Sequence, residues 1–243
     1  MENRILIDFM MYSYFGIVPR ELYDKSDPYE DDCVRKAIMK AYVDATNEGA
    51  YNTLFTKQAK EKNPKIKEYS ENAKKSGAQK IFKEICSLSC NDETSFTQWH
   101  KKLCDMLVSE YSQVYVEKDK PFFTYGNAQK WVNMSLKYIF ITQSYCGKCG
   151  QNANSVKNFL HIPLDSYIIS ALKNEGVEIK EKWSQIAEYG KIDDRSKASY
   201  MAYVNDIKEI AQAPIEWENI AWIEQAEKAK KKDKDKQYQS FWG

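Results

Sequence analysis

Lys130 and Asp165 are the residues whose type and placement point most directly at chemistry. Lys130 lies in Tyr125-Gly126-Asn127-Ala128-Gln129-Lys130-Trp131-Val132-Asn133-Met134-Ser135-Leu136, one turn beyond a glycine. Asp165 lies in His161-Ile162-Pro163-Leu164-Asp165-Ser166-Tyr167-Ile168, directly after an X-Pro-Leu segment. A lysine amine is a poor nucleophile while protonated, with a reference pKa of about 10.4. Burial against aromatic rings, or a helix N-terminus, frees its lone pair. A carboxylate at a helix start is steadied by the helix dipole and can stabilise positive charge developing on a reacting carbon. The simpler reading is a surface lysine on an amphipathic helix and an ordinary N-cap aspartate.

The elements that must position these groups read as helices. Glycine and proline are scarce, at 9 and 6 residues, helix formers are plentiful, and strand-like alternation is hard to find. Residues 1–24 mix apolar and aromatic positions that suit docking on a core. Asp27 before Pro28 reads as an N-cap, and Val34, Ala37, Ile38, Ala41 and Tyr42 then fall on one helical face. Residues 56–80 are lysine-rich, with interruptions near Asn63-Pro64 and Gly77. Asn91 to Ser95 starts a helix with Phe96, Trp99, Leu103, Met106, Leu107 and Tyr111 inward. An amphipathic helix is expected from about Asn127 to Phe140, then a loop over 143–156 rich in Gly, Asn, Ser and Cys. Further helices are expected over 165–172, over 195–211, and from Pro214 through Trp222, followed by a frayed mixed-charge run over 228–239.

Gly126-X-Ala128-X-Lys130-X-X-Asn133-X-X-Leu136 resembles the second half of the helix-hairpin-helix of the endonuclease III superfamily of DNA glycosylases, where the pattern is G-x-G-x-K-x-x-N-x-x-L. Pro163-Leu164-Asp165-Ser166-Tyr167-Ile168 is similar to the family's P-V-D-T-H-V segment. The archaeal 8-oxoguanine glycosylase branch, with a long insertion between the two motifs and a P-V-D-Y segment, is the nearer by pattern. The resemblance covers roughly residues 121–172. It implies that Lys130 attacks C1′ of a damaged nucleotide as a Schiff-base nucleophile and that Asp165 activates it. It implies double-stranded DNA as partner, with Gly126 and Ala128 at the phosphate-gripping hairpin. The sequence departs from the pattern in three places. Ala128 replaces the second hairpin glycine, Phe123-Thr124-Tyr125 replaces L-P-G, and no cysteine follows Cys149, so the family's iron–sulfur set is absent. These departures support the alternative, a helical interaction protein that keeps the scaffold without the chemistry.

Other candidates have structural readings beside the functional ones. Trp131 adjoins Lys130 and is the candidate to stack an extruded base, although most aromatics in a helical protein are core. His161 precedes the aspartate segment and is a candidate for the same pocket. His100, on the helix after Asn91, reads as a hydrogen-bonded structural residue. Cys146-Gly147-Lys148-Cys149 has the shape of a zinc turn, and Cys86 with Cys90 would complete four thiolates. Free thiols are the simpler reading, and neither metal nor cofactor is expected. Charged residues are 29% of the chain and the net charge is +1, so no global basic field exists. No signal peptide is evident and no apolar run approaches the ~20 residues that span a bilayer; a cytoplasmic protein is the expectation. The expected architecture is an all-α, multi-helix, two-lobed helix-hairpin-helix glycosylase-like bundle. It forms a single domain over 1–243, whole or in two lobes with a cleft near 121–172, and ends in a flexible charged tail over 228–243. The expected function is base excision, with or without AP-lyase activity.

Overall fold

The computed structural model of the protein describes residues 2–24, 28–46, 65–117, 120–179, 181–194 and 199–242. The Asp27 cap, residues 56–64 of the lysine-rich stretch, and the expected helix start at 195–198 lie outside the described residues. The fold is all-α, and its contacts divide it into two compact units, Met1–Leu160 and His161–Gly243.

The first unit holds six helices among the described residues: α1 (Glu2–Phe15), α2 (Tyr29–Thr46), α3 (Ile66–Cys86), α4 (Glu93–Glu110), α5 (Tyr125–Ile141) and α6 (Gly147–Ser155). The inward stripe expected on α2 is buried throughout. Asp92 opens α4 with a capping box. Its carboxylate accepts from the Ser95 N–H at 2.7 Å, and the Ser95 hydroxyl oxygen accepts from the Asp92 N–H. On the α4 stripe Phe96, Leu103, Leu107 and Tyr111 are buried, while Trp99 and Met106 are half-buried. His100 and Cys104 turn inward as well, which apolar periodicity does not reveal.

Between α4 and α5 the chain forms a short antiparallel pair, β1 (Tyr115–Glu117) with β2 (Lys120–Pro121). The Tyr111 and Phe123 rings close this connection by stacking, 4.2 Å apart and 8° from parallel. A tight glycine turn of the helix-hairpin-helix kind does not occupy this position.

Helix α5 forms where an amphipathic helix was expected, but its polar positions are buried as well. Every residue from Gly126 to Asn133 is buried, because α5 packs against α2, α3, α4 and α6. A helix enclosed by neighbours buries its polar positions too, and these must then be hydrogen-bonded.

Gly77 marks a close approach rather than an interruption. It lies inside α3, where an added Cβ would meet Trp131 Cζ3 at 2.8 Å and Cη2 at 2.9 Å, and Leu107 Cδ2 at 3.1 Å. The indole cannot yield easily, since its N–H donates to the Ile38 carbonyl at 3.0 Å. On an open helix Gly→Ala would gain about 1 kcal/mol of helix propensity; overpacking against a fixed ring costs up to ~3 kcal/mol. Gly77→Ala is therefore expected to destabilise the protein by about 2 kcal/mol in urea unfolding. A stabilised variant would restore the reading of Gly77 as a helix interruption.

Helix α6 occupies the segment expected to be a loop. Its Gly, Asn and Ser content gives it little helix propensity, so tertiary contacts hold it. Cys149 is disulfide-bonded to Cys86. The Asn152 amide donates to the Ile85 and Cys86 carbonyls, capping the end of α3. Gly150 sits against the Gln143 backbone, leaving no room for a side chain.

Helix α1 docks on the core, as residues 1–24 were expected to, through only part of its surface. Phe15 is buried and Asp8 and Met11 are half-buried, but most of its large apolar side chains are exposed.

The second unit holds α7 (Ser166–Asn174), α8 (Tyr200–Ile210) and α9 (Pro214–Trp242) among its described residues. α7 ends in a Schellman arrangement with Gly176 at φ +84°. Val177 N–H donates to the Leu172 carbonyl and Gly176 N–H to that of Lys173. The charge run expected to fray from 228 instead continues α9 as helix to Trp242, where pairs such as Lys230–Glu227 sit at helical spacing.

Candidate functional site

In the first unit, Thr124 caps α5 and shares a capping box with Asn127. This start places Lys130 in the second turn, nine-tenths buried. Lys130 is buried, and a lysine so placed is uncommon in folded proteins.

The residues expected to grip phosphate are used otherwise. Gly126 lies within the first turn of α5, not in a turn before it, and its carbonyl accepts from the Gln129 amide at 2.8 Å. Ala128 is fully buried and its N–H donates to the Thr124 carbonyl. Neither can bring bare backbone to a phosphate. Trp131 is likewise corrected from base-stacking candidate to core: it is fully buried between Gly77, Tyr42 and Phe123.

Sequence reasoning missed a buried polar row that joins α4 to α5. His100 Nε2 lies 2.8 Å from Asn133 Oδ1, an atom that only accepts, so the ring proton sits on Nε2. The Asn133 amide donates to Gln129 Oε1 at 3.1 Å, and the Gln129 amide to the Gly126 carbonyl. His100 Nδ1 then accepts from Cys104 Sγ–H at 3.7 Å. Cys, His and Asn in this order resemble a nucleophilic triad, but the electrostatics oppose one. Burial pushes the His100 pKa down to about 4 and the Cys104 thiol well above its ordinary value. The neutral pair is favoured over thiolate–imidazolium. Asn133, one of the residues matching the glycosylase pattern, serves here as the bridge between two helices. The signal available in the sequence was the i, i+4 spacing of Gln129 with Asn133 and of His100 with Cys104.

In the second unit, Asp165 is the N-cap of α7. Its Oδ1 accepts from the Tyr167 N–H at 2.9 Å and the Ile168 N–H at 3.0 Å. Its Oδ2 accepts from the Trp222 indole N–H at 3.1 Å. The carboxylate is nine-tenths buried, while Trp222 is 40% exposed and meets Tyr167 edge-on at 5.1 Å. Trp222 was read from sequence as part of a closing helix, and nothing in local sequence ties it to Asp165, 57 residues away. His161 is buried with Nδ1 3.1 Å from the Tyr200 hydroxyl, and Tyr200 packs on Tyr189.

The four cysteines of the zinc set do not assemble. Cys86 and Cys149 form a disulfide, which also corrects the expectation of free thiols throughout. Cys146 is buried with its sulfur 3.3 Å from the Thr142 hydroxyl. No cluster of three or more His, Cys, Asp or Glu able to hold a metal occurs among the described residues. Burial raises the pKa of each unpaired thiol, Cys33 to about 11 and Cys146 to about 12, with Cys90 and Cys104 also raised. None is an activated nucleophile at neutral pH. No helix among the described residues is long and apolar enough to cross a membrane.

Comparison with protein families, with curated proteins and with solved structures finds no match to this chain.

Proposed function

We propose that this protein is a base-excision DNA glycosylase with Lys130 as nucleophile and Asp165 as the charge-stabilising carboxylate. The observation that carries the reading is that the lysine and the aspartate standing in glycosylase order are both charged residues buried to nine-tenths. Burial is the setting in which a lysine lone pair becomes available. It is also the setting in which a carboxylate acts strongly on developing charge. The amine of Lys130 bonds to C1′ as the C1′–base bond breaks, and the departing base takes the bonding electrons and a proton.

Borohydride trapping on duplex DNA carrying oxidised or deaminated bases tests this. Wild-type protein is expected to give a covalent adduct that disappears in Lys130→Met, with an unchanged circular dichroism spectrum confirming that the variant folds. An adduct that persists in the variant removes Lys130 from the reaction. No adduct and no base release from any lesion overturns the glycosylase reading.

A second reading, a helical interaction protein without the chemistry, has its own support. Gly126 and Ala128 are enclosed in the core, and both oxygens of Asp165 accept structural hydrogen bonds. It predicts that Asp165→Ala lowers stability, as loss of an N-cap does, without altering any reaction on DNA.

A further inference from the structure

Apolar side chains on a monomer's surface are ordinary when scattered and informative when contiguous. Helix α1 carries them contiguously. Ile5, Leu6, Phe9, Met10, Tyr12 and Tyr14 are between 51% and 68% exposed, and Leu22, in the turn that follows, is 73% exposed. Side chains of this size present about 200 Å² each when free. The six together therefore expose roughly 700 Å², close to the ~800 Å² that each partner contributes to a standard interface.

The helix is fixed in place, so this face is presented rather than loose. Arg4 reaches Glu21 at 2.9 Å and Asp8 at 3.9 Å, and the Tyr145 hydroxyl donates to Asp8 at 2.6 Å. At the other end the Tyr14 and Tyr138 hydroxyls lie 3.0 Å apart, the Phe15 ring meets Tyr138 edge-on, and Lys40 sits over the Tyr14 ring. Arg4, Asp8 and Tyr14 are thus spent on their own unit.

We propose that α1 is a self-association surface on which a second copy of this chain packs its own α1, antiparallel about a two-fold axis. The exposed composition, Ile, Leu, Phe, Met and Tyr with no lysine, is that of a protein interface core. Among the described side chains of α1 the two charged ones, Arg4 and Asp8, are already paired within the chain, which disfavours a charged partner. A lipid surface is disfavoured for the same reason, since helices that lie on membranes carry lysine and arginine on their polar face. A two-fold pairing of like helices needs no complementarity beyond the patch itself and closes without leaving an open end.

Analytical ultracentrifugation of the full chain tests the proposal. The 28.4 kDa protein is expected to sediment as a dimer. Phe9→Glu combined with Met10→Glu is expected to raise the dimer dissociation constant about a hundredfold or more, with the thermal midpoint of the monomer unchanged. Ile220→Glu combined with Ile223→Glu, on the exposed face of α9, is expected to leave the dimer intact. A wild-type monomer at every soluble concentration overturns the proposal, as does a dimer that survives the α1 substitutions. Sedimentation of the wild-type monomer with neutral or anionic phospholipid vesicles would overturn it in favour of a lipid surface.

Discussion

Reduction of the Cys86–Cys149 bond is expected to lower the unfolding free energy by about 4 kcal/mol, the chain-entropy value for a cross-link closing a loop of this length. The two cysteines are 63 residues apart, so the bond removes a large share of the freedom of the unfolded chain. Against a typical total of ~5–15 kcal/mol this is a decisive fraction. The effect has a local part as well. The bond ties the end of α3 to α6, whose sequence has little reason to be helical by itself. With the bond open, the Asn152 amide would still tie α6 to the Ile85 and Cys86 carbonyls at the end of α3. Backbone amides of α6 are therefore expected to lose hydrogen-exchange protection before those of α5. Cys86→Ser should reproduce the reduced protein's urea midpoint, whereas Cys90→Ser should leave the oxidised midpoint within ~0.5 kcal/mol. Equal midpoints for the oxidised and reduced protein would show that the bond contributes nothing to stability.

The same region shows where sequence reading stops. Local signals were legible: the helix start over Asn91 to Ser95, the Asp165 cap and the α2 stripe each depend on residues close in sequence. What escaped depends on distant partners. Gly77 reads as a breaker until Trp131 is seen against it. Residues 147–155 read as a loop because their helix is imposed by α3 and not by their own propensity. Helix α5 reads as amphipathic because its polar positions pair with one another and with His100 instead of with water. Of the candidate site, the lysine and aspartate were legible as types in an order. Their burial, and the Trp222 contact, arise from packing that no short window encodes.

The polar row in α4 and α5 yields the second large effect, a loss of stability on mild acidification that belongs to one side chain. His100 is fully buried and held neutral, with its pKa lowered from 6.5 to about 4. Between these values the unfolded chain binds a proton at this position and the folded chain does not, so stability rises with pH through the window. The contribution is complete above pH ~6.5 and is lost as the pH falls toward 4, a change of about 3 kcal/mol. Carboxylates titrate in the lower part of the same range, so the test is a difference. Urea unfolding of wild type and His100→Gln is followed from pH 7 to pH 4. Glutamine can still donate to Asn133 but does not titrate, and the gap between the two proteins should shift by about 3 kcal/mol in favour of the variant as the pH falls. A gap that stays constant would mean that the folded protein protonates His100 as readily as the unfolded chain does. An imidazole of that kind, beside Cys104 and Asn133, would have the proton affinity a catalytic base requires. The pH slope therefore tests whether burial holds His100 neutral in the polar joint between α4 and α5.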